Sequence, residues 1–222
     1  MTPRDPLSST INVRLVARFS LVSIILILLA TCLDGQVLHK FYMRGDLSDG
    51  NRMFRVMGYL PLWMLIALVF AMVDSAKMPA WTLKGMVGGW YRTILIVLAS
   101  SVTGAVAEGL KLLIRRERPN LDVSHYTYRA WSEGMFASGP MGMPSSHAAV
   151  AFGGALMLCK LFPRATVVWW ILAIGCAVTR IGSQKHFLSD TLVSALIGMV
   201  VVRCLWNWHR WNRQQDALSA AE

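Results

Sequence analysis

Residues 179–190 read TRIGSQKHFLSD, which sets an arginine, a histidine and an aspartate between two apolar runs, residues 165–178 before and 187–206 after. A short polar turn flanked by apolar runs reads as two helices that cross lipid and meet at one membrane face. Polar groups in such surroundings are costly unless they serve each other or a substrate. His186 and Asp190 lie four apart, so a helix beginning near His186 puts both side chains on one face, about one turn apart. The carboxylate then holds one ring nitrogen as N–H and leaves the other unprotonated, the state a histidine needs as nucleophile or base. Arg180 adds a planar cation suited to two phosphate oxygens at once. The trio reads as phosphate chemistry, although taken alone an Arg and an Asp at the ends of a membrane helix are more often an interfacial anchor and a cap.

Composition supports lipid as the solvent. The 222 residues are 55% hydrophobic and only 15% charged, with a mean hydropathy of +0.47, whereas soluble domains carry about 25% charged residues. The net charge of +10 is distributed in short clusters between apolar runs, which speaks against a basic nucleic-acid face. Cys32, Cys159, Cys176 and Cys204 fall within apolar runs and lack metal-ligand spacing, so they are expected as small buried hydrophobes with no disulfide framework.

The expected fold is all-α, an integral membrane bundle of six transmembrane helices forming one domain over residues 1–222. The spans are residues 15–33, 53–73 with a kink near Pro61, 90–114, 146–162, 165–178 and 187–206. The basic lead, residues 1–14, also suits a signal peptide, but the run after it is long for a signal core and further spans follow, so an uncleaved anchor is expected. Residues 34–52 read as a polar loop and 74–89 as a connector. The third span carries Ser100, Ser101, Thr103, Gly104, Ala105 and Ala107, small residues that let helices approach closely and place it inside the bundle. Glu108 in that span is expected to pair with Lys111 or with the arginines at the helix end. Residues 115–143 form the longest polar segment, whose Tyr126, Tyr128, Trp131 and Phe136 suit the headgroup level. The closing WNWHRWNRQQDALSAAE belongs at an interface and needs no fold of its own.

Two further polar blocks flank the long loop. Before it stands KLLIRRERP, with Lys111 and Arg118 seven positions apart and Pro119 ending the helix. After it comes MPSSHAAVAF, a Pro-Ser turn into an apolar helix with His147 in its first turn. N–H groups at that helix start are unpaired and point ahead, so Ser145, Ser146 and His147 offer an anion site. With six spans, the first block ends span three, the second opens span four and the third joins spans five and six. All three therefore converge on one side of the membrane.

The order K-x6-RP, PS-x-H, R-x5-H-x3-D, carried by Lys111, Arg118, Pro119, Pro144, Ser145, His147, Arg180, His186 and Asp190, resembles the type 2 phosphatidic acid phosphatase superfamily. That family includes lipid phosphatases, bacterial acid phosphatases and vanadium haloperoxidases. The resemblance covers a catalytic core of about residues 90–206. It implies that His186, held by Asp190, attacks phosphorus to form a phosphohistidine. His147 protonates the leaving group and then activates water. Lys111, Arg118 and Arg180 hold the equatorial oxygens, assisted by Ser145, Ser146 and backbone N–H groups. No metal or cofactor is implied. Two positions depart from the family pattern: Ser146 stands where glycine is usual, which questions the local anion geometry, and Thr179 where serine is usual.

Long apolar runs favour a membrane lipid phosphate or pyrophosphate as substrate: polyprenyl pyrophosphate, phosphatidylglycerophosphate, phosphatidic acid or lipid A. The competing class is a non-catalytic membrane protein or transporter that binds anionic lipid. Lys and Arg number 11 on the side of the termini and 11 on the side of the site. Setting aside Lys111, Arg118 and Arg180 as needed for chemistry leaves 11 against 8, which tilts the termini toward the cytoplasm and the site toward the periplasm or exterior of a bacterial inner membrane.

Overall fold

The computed structural model describes residues 13–42, 48–76, 90–119, 126–134 and 136–219. The leader and most of the 74–89 connector lie outside the described residues. Seven α-helices are described: α1 (Val13–Lys40), α2 (Asp49–Val56), α3 (Leu60–Ser75), α4 (Tyr91–Ile114), α5 (Ser146–Leu161), α6 (Thr166–Gly182) and α7 (Leu188–Ser219), with a 3-10 turn (Pro163–Ala165) leading into α6. Among the described residues, α1, α4, α6 with its 3-10 turn, and α7 are long and apolar enough to cross a membrane. The pair α2 and α3, bent by 69° at its break, makes a fifth such span when taken together. The expected count of six therefore appears as four, or as five with the bent pair.

The bend replaces the expected kink at Pro61. Pro61 sits in the first turn of α3, where its missing N–H costs nothing. The chain turns just before it, at residues 57–59, where the Trp63 indole N–H donates to the Met57 carbonyl at 2.8 Å.

The helix short of a span, α5, has 16 residues, about 24 Å at 1.5 Å each. It needs no more length because it is enclosed, packing against α4, α6 and α7. Its run AAVAFGGALM is almost wholly buried. Two glycines permit the close approach: a Cβ on Gly154 would overlap the Trp63 ring of α3, and one on Gly153 would overlap the Ala99 carbonyl and Thr103 of α4. The enclosed helix is thus α5 rather than the third span. In α4, Ser100, Thr103, Gly104 and Ala107 do face inward, but Val102, Ala105 and Val106 are exposed.

On α1 the buried residues are Ala30, Asp34 and Leu38, a stripe at i, i+4, i+8, while Leu21, Leu28, Leu29 and many others are exposed. An exposed apolar surface of this extent suits lipid. Cys32 and Cys204 are also exposed, and only Cys176 is buried, so the expectation of buried cysteines holds for one of four. The closing segment, expected to need no fold, continues α7 to Ser219. It contains no Gly or Pro to stop the helix, and its Arg, Gln, Ala and Leu are good helix formers.

The long loop is pinned at its base. Arg115 caps α4 in the left-handed region at φ 58°, a conformation that costs a non-glycine residue of the order of 1 kcal/mol. Its guanidinium offsets this by donating to the carbonyls of Arg129, Ala130 and Glu133 at 3.0, 2.7 and 2.9 Å. Single bridges pair Arg116 with Tyr128 and Glu117 with Met141.

Candidate functional site

Three helix ends and the base of the loop meet at one end of the bundle. His186, in the turn between α6 and α7, is 1% exposed. Its Nδ1 lies 2.8 Å from the Gly142 carbonyl and 3.6 Å from Asp190 Oδ2. Both neighbours are acceptors, so Nδ1 carries the proton and Nε2 keeps its lone pair. The nearer partner is the backbone carbonyl, not the aspartate that the i,i+4 spacing suggested. Glycine at 142 makes room for this contact, since a Cβ there would sit 3.2 Å from Asp190 Oδ2. Burial holds the His186 imidazole below the usual histidine range, with the Asp190 carboxylate opposing.

Asp190 is fully enclosed and doubly held. Its Oδ2 accepts from the Phe187 N–H at 2.8 Å, closing the first turn of α7, and its Oδ1 accepts from Arg116 Nη2 at 2.5 Å. Arg116 also donates to Ser189 Oγ at 2.7 Å and lies over the rings of Tyr126 and Phe187 at 4.7 and 5.1 Å. Tyr126 turns inward, its hydroxyl donating to Asp34 Oδ2 at 2.9 Å; burial and the Asp34 carboxylate push its hydroxyl pKa up.

On α4, Lys111 Nζ donates to Glu108 at 2.9 Å and to Ser146 Oγ, whose hydroxyl in turn donates to Glu108. Glu108 therefore pairs with Lys111, as expected. Ser146 lies in the first turn of α5, and positive φ among the described non-glycine residues occurs only at Arg115 and Gln184. Its backbone thus needs no glycine, and its hydroxyl is spent on the Glu108–Lys111 pair. Ser145 is the N-cap of α5: its Oγ accepts from the Ala148 N–H at 3.4 Å. Its N–H donates to the Asp190 carbonyl at 3.3 Å, tying the α5 start to α7.

His147 follows, with Tyr59 packed edge-on at 5.0 Å between ring centres. A Cβ on Gly58 would come within 2.7 Å of His147 Cβ, so the α2–α3 break presses directly on this histidine. His147 lies within electrostatic range of Arg180, His186, Arg55 and Lys111. Arg180 feels Arg55 and Arg118 in the same way. The Nε atoms of Arg55, Arg118 and Arg180 are buried and lack a hydrogen-bond partner. Three guanidiniums gathered without a matching carboxylate among the described residues create a strong demand for an anion.

Lys111, Arg118, Ser145, Ser146, His147, Arg180, His186 and Asp190 are thus gathered at one end of the bundle. The sequence reading missed Arg55, Arg116, Gly142, Ser189 and Asp34. Arg116 lay in plain view inside KLLIRRERP, where three arginines stand and only one was given a task. Arg55 and Asp34 carried no spacing signal.

Residues 90–214 match the PAP2 superfamily. The chain belongs to the PAP2 superfamily. No curated protein matches it. Among solved structures, the chain is similar to a transmembrane PAP2-type phosphatidylglycerolphosphate phosphatase from Bacillus subtilis, with a TM-score of 0.60 at 15% identity, covering 87% of this chain and 95% of that one. It also matches LpxE from Aquifex aeolicus, with a TM-score of 0.42 at 19% identity over 74% of this chain and 98% of that one. The first likeness extends the PAP2 architecture over helices that precede the matched segment. Asp34 and Arg55 both lie in those earlier helices.

Proposed function

We propose that this PAP2 protein is an integral membrane phosphatase that hydrolyses a lipid phosphomonoester or pyrophosphate through a phosphohistidine. The observation that carries the reading is the buried His186, with Nδ1 protonated toward Gly142 and Asp190 and Nε2 free, within electrostatic range of Arg180 and Lys111. His186 Nε2 attacks phosphorus as the P–O bond to the leaving group breaks. His147 gives that oxygen a proton, then removes one from the water that releases phosphate. Arg118 and Arg180 meet the phosphoryl oxygens, with Lys111 completing the set from its place beside Ser146.

The fold is read as a single catalytic domain of six helical passes, counting the bent α2–α3 pair and the enclosed α5 as one pass each. The site faces the exterior or periplasm of a bacterial inner membrane. The solved phosphatidylglycerolphosphate phosphatase makes that lipid a first substrate to try, beside polyprenyl pyrophosphate, phosphatidic acid and lipid A.

The test is phosphate release by purified protein in detergent from these four lipids, with acid-labile phosphate trapped on the protein. Turnover of at least one, abolished by His186→Ala, is expected. Binding of all four without turnover would instead favour a lipid-binding or transport role.

A further inference from the structure

Asp34 is 1% exposed, and the other buried residues of α1 are the apolar Ala30 and Leu38. The Asp34 carboxylate accepts three hydrogen bonds, all from the neighbourhood of the catalytic turn. Oδ1 takes the Ser189 N–H at 2.8 Å, and Oδ2 takes the Ser189 hydroxyl at 2.5 Å and the Tyr126 hydroxyl at 2.9 Å.

Following the protons gives this arrangement a direction. Ser189 has one hydroxyl proton, and it is committed to Asp34, so the Ser189 oxygen is left as an acceptor. That acceptor receives one N–H of Arg116 Nη2 at 2.7 Å, and the second N–H of the same nitrogen goes to Asp190 Oδ1 at 2.5 Å. The Asp190 carboxylate is thereby held with Oδ2 toward His186. Ser189 and Asp190 are 0% exposed and Arg116 3%, so water cannot easily replace a missing partner.

We propose that Asp34 is a positioning residue for the reaction: from α1, outside the family-matched segment, it sets the polarity of the Ser189 hydroxyl and through Arg116 fixes the Asp190 carboxylate that faces His186. This rests on His186 being the nucleophile. A purely structural role, in which Asp34 only pins α1 to the N-terminus of α7, predicts loss of stability with normal chemistry. The two roles are separable because Leu38, one turn away on the same stripe and 4% exposed, contributes packing and no polar contact.

The experiment compares Asp34→Asn, Ser189→Ala and Leu38→Ala in the full chain in detergent, reading kcat and KM on the lipid the parent hydrolyses best, and thermal unfolding. Asp34→Asn presents an amide where three donors converge. It should lower kcat about 10- to 100-fold, as loss of an orienting outer partner does elsewhere, with KM within about twofold. Ser189→Ala should mirror it, and it decides the matter if Asp34→Asn does not fold. Leu38→Ala should lower the unfolding temperature and leave kcat alone.

A readout independent of turnover is the titration of His186 in protein labelled with 15N-histidine, assigned by His186→Gln. The titratable and charged groups around His186 are Asp190 on α7, Arg180 on α6, Lys111 on α4 and His147 on α5. Asp34→Asn should move that titration to lower pH, because a negative charge behind Asp190 is lost. A parent protein inactive on every lipid would count against the phosphatase reading while leaving this titration to judge Asp34. Unchanged kcat and an unchanged His186 titration in Asp34→Asn or Ser189→Ala, or an equal kcat loss in Leu38→Ala, would overturn the proposal.

Discussion

As the proposed nucleophile, His186 would attack only as the neutral imidazole, and burial lowers its proton affinity. The acid limb of kcat is therefore expected below the ordinary histidine value of about 6.5. Asp190 opposes the burial, so Asp190→Asn should move the limb further toward acid. Its rate penalty should fall well short of the ~10⁴-fold seen where an aspartate alone sets the tautomer, because the Gly142 carbonyl at 2.8 Å keeps the proton on Nδ1. A loss on the order of 10²-fold, the upper end for an orienting partner, is expected from pH-dependent kinetics. An acid limb that moves toward neutrality would contradict this assignment. The leaving-group role proposed for His147 distinguishes it from His186. With an aryl phosphate, whose phenol departs unaided, His147→Ala should release about one equivalent in a burst and then stall. His186→Ala should give neither burst nor turnover, and stopped-flow phenol release reads both.

The helices tell which parts of this arrangement were legible in the sequence. Span-length apolar runs and the three polar blocks sufficed for the helical bundle and for the clustering of eight candidate residues, because hydropathy and fixed spacing are local signals. The groups that stand behind Asp190 and beside His186 were not legible. Asp34 stands just past the apolar run that ended at Leu33 and read as the start of a loop, whereas α1 continues to Lys40. Gly142 acts through its carbonyl, which leaves no mark in a side-chain pattern. The packing of α5 was equally hidden, and it yields a paired prediction. Gly154→Ala forces a Cβ into the Trp63 ring and should destabilise the protein by about 1–3 kcal/mol. Gly109→Ala, in α4 with nothing within 4 Å of the added Cβ, should be neutral or stabilise by up to about 1 kcal/mol. Thermal unfolding of the two variants in one detergent checks the contrast.

Across the bundle, the site and the ends of the chain lie on opposite sides if six passes are correct, so orientation becomes one measurement. A reporter fused after Glu222 that works only in the cytoplasm should be active, and one that works only outside should be silent; the reverse would turn the protein over. The outer helices and α5 meet the bilayer on different terms. Because α5 is walled in by its neighbours, acyl-chain length bears on the exposed helices, which can tilt to absorb it. His147 rides on a helix whose run of residues 148–155 is buried within the bundle, so its distance from His186 should be as steady in a thin membrane as in a thick one.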